Sequence, residues 1–411
     1  MLDIRLIRSE PDAVRSALAR RGDVADDAID RVLELDGRWR GLTTELEELR
    51  AEQNRASKGR RGAPTPEERE QMATLAARGR ELTDLETTVR GALDELLLGL
   101  PNVPSADAPG ADTVLREVGS AGKTGRDHLE LAGPMIDMER GAALSGSRFA
   151  YLRGGLVLLE LALVQYALAK LLEQGFEPVI PPVLVRERAL IGTGMLPDTE
   201  QQIYQLPNDD LYLVGTSEVA LASLHRDEIL DAAELPRRYA GFSPCFRREA
   251  GAAGKDTRGI FRVHQFDKLE MFAFVEPELS SEEHERILSI EESILTELGI
   301  PYRVVAIAVD DLGASAAFKY DCEAWMPGQG QFREVTSCSN TTDYQARRLE
   351  IRARPAGGGR PATLHTLNGT AVTWRHMIAL LENGQQEDGT VVLPEVLTRY
   401  GAPATLGASL A

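Results

Sequence analysis

Two apolar seams of heptad spacing, separated by a cluster of helix breakers, hold the N-terminal quarter of this chain to one simple shape. The first runs Val32, Leu35, Trp39, Leu42, Leu46, Leu49, in steps of 3, 4, 3, 4 and 3. That rhythm marks the narrow contact line of a coiled coil rather than the broad stripe of a helix lying on a globular core. Gly59-Arg60-Arg61-Gly62-Ala63-Pro64-Thr65-Pro66 then forces a reversal. A second seam follows at Met72, Leu75, Gly79, Leu82, Leu85, Val89, Ala92 and Leu96, with one short step between Leu82 and Leu85. Together they predict an antiparallel two-helix coiled-coil arm over about residues 27–98. A helix over 27–57 would extend roughly 45 Å at 1.5 Å per residue, more than a compact core requires. The tip is basic, with Arg50, Arg55, Lys58, Arg60 and Arg61 against one acid, Glu52. A solvated hairpin packed on a neighbour would explain the spacing, whereas a cationic end on an anionic chain favours contact with a polyanion.

The chain as a whole is anionic, with 46 Lys+Arg against 64 Asp+Glu in 411 residues and a formal charge of −18. This excludes a protein whose entire surface attracts phosphate backbones, so nucleic-acid contact is local and DNA is not an expected partner. At 43% apolar residues the composition is that of a soluble globular protein, long enough for two or three domains. The most apolar stretch, Leu156 to Leu172, carries Glu160, Gln165 and Lys170 and reads as a buried helix too polar to cross a bilayer. The opening MLDIRLIRSEP has no apolar signal region, and Cys245, Cys322 and Cys338 lack disulfide or zinc spacing. A cytoplasmic location is expected, with the thiols as small buried hydrophobes. Ser9 and Asp12 have the spacing of a capping box, with Gly22 closing that short helix.

After Leu100-Pro101-Asn102-Val103-Pro104 and a Pro/Gly/Ala-rich linker the texture changes. Short β-rich runs at 211–214, 239–246, 260–274 and 302–309 alternate with turns and with amphipathic helices near 156–174, 281–298 and 374–384. This predicts an α+β fold with a mainly antiparallel sheet. The sequence contains no GxGxxG and no GxxxxGK[ST]. Chemistry concentrates in three clusters. Phe246-Arg247-Arg248-Glu249 and the run from Arg262 to Glu270 flank a Gly-rich basic loop, and alternation puts Arg262, His264, Phe266, Lys268 and Glu270 on one strand face. Such a face is either a solvated hairpin with cross-strand ion pairs or a site where arginines fork onto phosphate or carboxylate. Arg333 to Asn340 offers Glu334 with hydroxyls suited to a hard divalent cation. Trp374-Arg375 opens a helix, where backbone N–H groups already favour anions. His264 and His376 read as structural histidines.

In this order the pieces resemble a class II aminoacyl-tRNA synthetase, and specifically the bacterial-type seryl-tRNA synthetase family. Gly175 to Pro182, with the helix before it, is similar to the family's first, dimer-forming motif; Phe246 to Glu270 resembles the second and Asn368 to Asn383 the third. Thr216-Ser217-Glu218, Asp256-Thr257-Arg258-Gly259, His264-Gln265-Phe266-Asp267-Lys268 and Ser337-Cys338-Ser339-Asn340 are similar to segments typical of the serine enzyme. The resemblance covers essentially the whole chain. It implies a tRNA-binding domain over 1–105, a class II catalytic domain over 106–411, and ligation of L-serine to the 3′-terminal adenosine of tRNA(Ser) using ATP and Mg²⁺, with tRNA(Sec) open as a second acceptor. It also implies a homodimer. By the same resemblance Arg247, Glu249 and Arg375 are catalytic; Thr216, Ser217, Glu218, Glu270 and Thr370 bind serine. Arg247, Arg248, Glu249, Val263, Phe266, Glu334, Val335, Thr336, Ser337 and Arg375 bind ATP; Glu334 and Ser337 hold the metal; and Arg50, Arg55, Lys58, Arg60 and Arg61 bind tRNA.

The chain departs from the family pattern in four places. The stretch from Asn368 to Arg375 is one residue short, with Trp374 where Gly or Pro is frequent; Ala220 replaces a common proline; the hairpin tip is cut short; and no cysteine follows Asn340. Two alternatives stay open: a specialised copy supplying seryl-tRNA to a biosynthetic or resistance pathway, and a non-catalytic binding protein of the same fold.

Overall fold

The computed structural model describes residues 1–22, 27–58, 65–197, 201–250, 258–355 and 357–407. They form two compact units, Met1–Val103 and Pro104–Ala411. Arg60, Arg61 and the residues 251–257 of the Gly-rich loop lie outside the described residues.

In the first unit, short helices Ile4–Ser9 and Pro11–Ala19 precede α1 (Ala28–Ser57) and α2 (Pro66–Gly99). The capping box expected at Ser9 is absent: Ser9 Oγ donates to Leu6 O at the end of its own helix, and Pro11 opens the next. A reciprocal box forms instead at Thr65 and Glu68, with Pro66 at the first helical position. Leu35, Trp39, Leu42, Leu46 and Leu49 of α1 pack with Leu82 and Val89 of α2. The second seam differs from its expected register. Leu85 is 36% exposed, and the line passes from Leu82 through Glu86 to Val89 and the buried Leu93. Glu86 belongs there because its Oε1 accepts the Trp39 indole N–H at 2.5 Å, while Arg90 lies 4.9 Å over the same ring. A carboxylate in the seam hid the register from an apolar count. At the hairpin base, burial raises the Asp36 carboxyl, but the guanidiniums of Arg8 and Arg40 outweigh it and hold the group below the usual range.

The second unit is built on an eight-stranded sheet: β1 (Thr113–Val118), β2 (Glu177–Val179), β3 (Arg237–Phe246), β4 (Gln265–Val275), β5 (Tyr302–Ala306), β6 (Phe318–Met326), β7 (Gln331–Asn340) and β8 (His365–Thr373). Its order is β1-β5-β6-β7-β8-β4-β3-β2, and every pairing is antiparallel except β2 with β3. Helices α3 (Gly155–Glu173), α4 (Ser280–Glu297) and α5 (Trp374–Asn383) cover one face. Along β4 the odd residues Leu269, Met271 and Ala273 join that core, so Lys268 and Glu270 face the other way. Helix α4 comes close enough to β8 that a Cβ on Gly369 would sit 2.3 Å from Ile287 Cγ2.

Helix α3 is long and apolar enough by composition to span a bilayer, which differs from the expectation of too polar a segment. It is a core helix here: Leu156, Leu159, Leu163, Tyr166 and Leu171 are buried, and Lys170 and Tyr166 meet Glu297 of α4.

Candidate active site

The centre of the open sheet face holds two adjoining cavities whose walls share Arg247, Glu249, Arg262, Glu334 and Arg375; the larger measures about 480 Å³. The shared residues are placed by strand flanks, a strand bulge and a helix start. Arg247 follows β3; its Nε donates to Gly215 O at 3.2 Å and its guanidinium lies 5.2 Å over the Phe266 ring. Glu249, in left-handed backbone at φ 48°, is held by an ion pair to Arg262. Arg375 stands at the second position of α5, because β8 runs into that helix without a loop. Its Nη1 donates to Glu334 O at 2.9 Å and lies 3.1 Å from Glu334 Oε2. The shortened third motif therefore still delivers this arginine to the site. Phe261 is flanked by Arg375 at 4.6 Å and Arg333 at 4.0 Å.

Glu334 and Ser337 reach the same cavity through a bulge in β7: Thr336 pairs with Cys322 and Glu334 with Glu323, leaving Val335 as the extra residue. Desolvation raises the Glu334 carboxyl, but Arg375, Lys319 and Arg247 outweigh it and hold it at about 2. Behind it, burial and the Glu334 charge push Asp321 up to about 7, although Lys319 Nζ lies 3.0 Å away.

Deeper in the face the character changes from cationic to anionic. Glu218 is 8% exposed and Glu270 2%. Glu218 Oε1 accepts from Gln345 Nε2 at 2.8 Å and Asn368 Nδ2 at 3.1 Å. Burial, and next the charge of Glu270, push Glu218 up to about 7. Burial likewise raises Glu270, against the pull of Lys268, Arg247 and the Thr370 hydroxyl. Lys268 Nζ lies 2.5 Å from Glu270 Oε2, yet that oxygen has no well-directed hydrogen bond among the described residues. A buried, under-satisfied carboxylate is completed by a ligand's ammonium or hydroxyl. Thr370 is freed to face it by a second bulge, where Glu270 pairs with Thr370 and Leu269 with Val372. The Thr370 N–H turns inward to Glu291 Oε1 at 3.0 Å.

The structure thus gathers Arg247, Glu249, Val263, Phe266, Glu334, Val335, Ser337, Thr370 and Arg375 around one cavity, and Thr216 lines the larger one beside it. Five residues expected to bind serine or ATP line neither cavity: the buried Glu218 and Glu270, and three that stand apart from both. Thr336 faces the helices and donates to Glu291 Oε2 at 2.7 Å; Ser217 is fully buried and donates to Gly241 O at 3.1 Å; Arg248 lines neither cavity. Glu291, Gln345, Phe261 and Lys319 were not singled out from sequence. Glu291 lies in the helix read as amphipathic near 281–298, yet it is completely buried. His264 and His376 are both structural in geometry: His264 Nδ1 meets Arg247 O at 2.9 Å, and burial pushes His376 down to about 4 while its Nδ1 accepts the Thr373 N–H. All three cysteines are buried and unpaired as disulfides. Among the described residues no group of three or more His, Cys, Asp or Glu is arranged to hold a metal. Arg50, Arg55 and Lys58 are exposed at the far end of α1.

Residues 1–104 match the seryl-tRNA synthetase N-terminal domain, and residues 202–384 match the tRNA synthetase class II core domain (G, H, P, S and T). The serine–tRNA ligase of Thermobifida fusca is 50% identical over 413 residues, covering 97% of each chain. The crystal structure of seryl-tRNA synthetase from Pyrococcus horikoshii complexed with ATP has a TM-score of 0.93 at 42% identity and covers 99% of both chains. That of cytoplasmic serine–tRNA ligase from Naegleria fowleri in complex with AMP has a TM-score of 0.88 at 32% identity, over 100% of this chain and 99% of the other. With likeness of this degree along both units, the chain belongs to the seryl-tRNA synthetase family of class II aminoacyl-tRNA synthetases.

Proposed function

We propose that the protein activates L-serine with ATP to seryl-adenylate, releasing pyrophosphate, and passes the seryl group to the 3′-terminal adenosine of tRNA(Ser). One observation carries this reading: a cavity walled by Arg247, Arg375, Lys268 and Thr370 adjoins the buried carboxyl of Glu270, which lies 2.5 Å from Lys268 Nζ and whose charge acts on the buried Glu218. Serine's carboxylate must approach an α-phosphate that is itself negative. The guanidiniums neutralise both anions and align them, while the carboxylates below receive the ammonium and hydroxyl of serine. Alanine would leave Glu270 and Thr370 without their hydroxyl partner, which disfavours it by several kcal/mol in order of magnitude.

A magnesium ion would be held by Glu334 and Ser337, an oxygen-only pair that leaves room for phosphate oxygens and water, and it would supply further neutralisation of the triphosphate. The strong ionisation of Glu334 fits that role. Glu249 and Phe266 fit the adenine side. The first unit is the tRNA-binding domain, with Arg50, Arg55, Lys58, Arg60 and Arg61 gripping RNA backbone by charge and shape. The cytoplasm suits a protein with three buried free thiols.

Serine-dependent exchange of labelled pyrophosphate into ATP tests the first step, and transfer of labelled serine to tRNA the second. Exchange with serine and not with alanine or threonine is expected. No exchange with any amino acid would leave a binding protein of this fold.

A further inference from the structure

Strands β7 and β8 are neighbours in the sheet, yet among the described residues they pair at three positions, Cys338 with Gly369, Ser339 with Asn368 and Asn340 with Leu367. Toward the site they part. β7 keeps its pairing with β6 down to Gln331, while β8 keeps its pairing with β4 up to Thr373. The two prongs of this fork wall the first cavity, with Glu334, Val335 and Ser337 on one and Thr370 and Thr373 on the other. Strands that part leave backbone donors without a ladder partner, and a buried donor needs another acceptor. Here it comes from α4. Glu291, wholly buried, accepts the Thr370 N–H on Oε1 at 3.0 Å and the Thr336 hydroxyl on Oε2 at 2.7 Å, and the Cys322 thiol lies 3.8 Å from Oε2. One carboxyl therefore holds a prong with each oxygen. Its approach depends on Gly369, the last paired residue of β8 before the fork, where a Cβ would stand 2.9 Å from Glu291 Oε1 and 2.3 Å from Ile287 Cγ2. A carboxyl buried between two strands, with a glycine clearing its way, is a costly means of filling space that an apolar side chain could fill.

Resting on the reading of Thr370 as a contact of serine's hydroxyl, we propose that Glu291 is a positioning residue that ties β7 to β8 across this fork, fixes Thr370 opposite Glu270, and so sets the affinity for serine without touching it. The bond to the Thr370 N–H anchors the backbone from which the threonine hydroxyl projects. The bond to Thr336 keeps the carboxyl from turning away, and it references Thr370 to the strand that carries Glu334 and Ser337. The serine side and the phosphate side of the cavity are thereby held at a set spacing, which in-line attack on the α-phosphate requires.

The test measures the serine KM, the ATP KM and the inhibition constant of alanine in pyrophosphate exchange on wild type, Glu291→Gln, Glu291→Leu and Thr336→Val. Glutamine keeps an oxygen for the Thr370 N–H and turns an amide N–H to the Thr336 oxygen, which accepts as readily as it donates. All three constants should then stay within about twofold of wild type. Leucine fills the space but accepts nothing. In Glu291→Leu the serine KM should rise about tenfold while the alanine constant changes by less than about twofold, because alanine has no hydroxyl for Thr370 to meet. The ATP KM should also hold within about twofold, since β7 keeps its pairing with β6. Thr336→Val removes half of the tie and should raise the serine KM about threefold. Hydrogen exchange along β8 gives a reading independent of activity: relative to the Leu367 amide on the paired stretch, the Thr370 amide should exchange faster in Glu291→Leu than in wild type or Glu291→Gln. An unchanged serine KM in Glu291→Leu overturns the proposal, as does one that rises in step with the ATP and alanine constants, the mark of a generally loosened fold. Glu291→Gln as impaired as Glu291→Leu would assign the effect to charge and overturn it too. Should Glu291→Leu not fold, a wild-type serine KM in Thr336→Val overturns it alone. Lack of serine-dependent exchange in the wild type would instead defeat the functional reading, while the Thr370 amide still reports the tie.

Discussion

Glu218 and Glu334 are carboxyls of one site driven in opposite directions. Cations hold Glu334 at about 2, so it is anionic at any working pH. Burial, with the charge of Glu270, brings Glu218 to about 7, so its charge changes near neutrality. On the proposed reading serine's ammonium meets Glu218, and only the ionised carboxyl attracts it. The serine KM should therefore fall as pH rises from about 6 to about 8, by roughly tenfold, and level off above. Glu218→Gln should remove the slope and raise the KM throughout. A serine KM independent of pH in the wild type would place Glu218 away from the ammonium. Residues of this kind were legible in the sequence where a charged type is dense within a few positions, as with Arg247 and Glu249 or Glu334 and Ser337. Their partners were not. Gln345 and Asn368 reach Glu218 across 127 and 150 residues of chain, and no local pattern encodes such a meeting. The family resemblance assigns Thr336 to the ATP site; past the bulge at Val335 it faces the core and donates to Glu291 instead.

At the scale of elements, the hairpin shows what periodicity reads and what it omits. α1 matches its predicted span nearly to the residue because only the apolar types Val, Leu and Trp fill its seam. In α2 the seam carries Glu86, which bonds to Trp39 and so occupies a core position with a charge. Trp39 is then the element's keystone, joining the hydrophobic line, the Glu86 acceptor and the Arg90 cation. Trp39→Ala should destabilise the hairpin by about 2–3 kcal/mol, somewhat below a fully buried tryptophan because its ring is partly exposed. Glu86→Gln, which keeps an acceptor, should change stability by less than about 1 kcal/mol. Hydrogen exchange of the α1 and α2 amides in the full chain reads both. Equal protection in Trp39→Ala and wild type would show that the leucine seam alone holds the pair. In the sheet, strand existence was readable from alternation, whereas the bulges in β7 and β8 were not. A single extra residue leaves the composition of a strand unchanged while reversing which side chains face the site.

For the whole molecule, two surfaces remain to be explained once the site is accounted for: the outward face of α3 and the tip of the hairpin. On α3, Val157 is 38% exposed, Leu158 50% and Leu161 49%, an apolar strip on a chain with a formal charge of −18. A second copy covering that strip would form the dimer that the first-motif resemblance implies, and Leu158→Glu with Leu161→Glu should shift the protein toward monomer in light scattering. The hairpin poses the sharper question, because every residue assigned to serine and ATP lies in the second unit. On the proposed reading, activation draws no residue from α1 or α2. Transfer needs a tRNA held in place, and exposed Arg50, Arg55 and Lys58 offer phosphate contacts far along a 30-residue helix. Since the helices are antiparallel, their bases lie side by side and residues 30–96 can be replaced by a short turn, at the cost of the Arg8–Asp36 ion pair at the base. That deletion should leave pyrophosphate exchange within about twofold of the full chain and lower serine transfer to tRNA by about a hundredfold or more. Charge reversal at Arg50, Arg55 and Lys58 should reproduce part of the transfer defect and flatten its salt dependence, as expected when phosphate contacts are lost. Equal loss of exchange and transfer on deletion would mean that the hairpin supports the catalytic unit itself, and its assignment to RNA would fall.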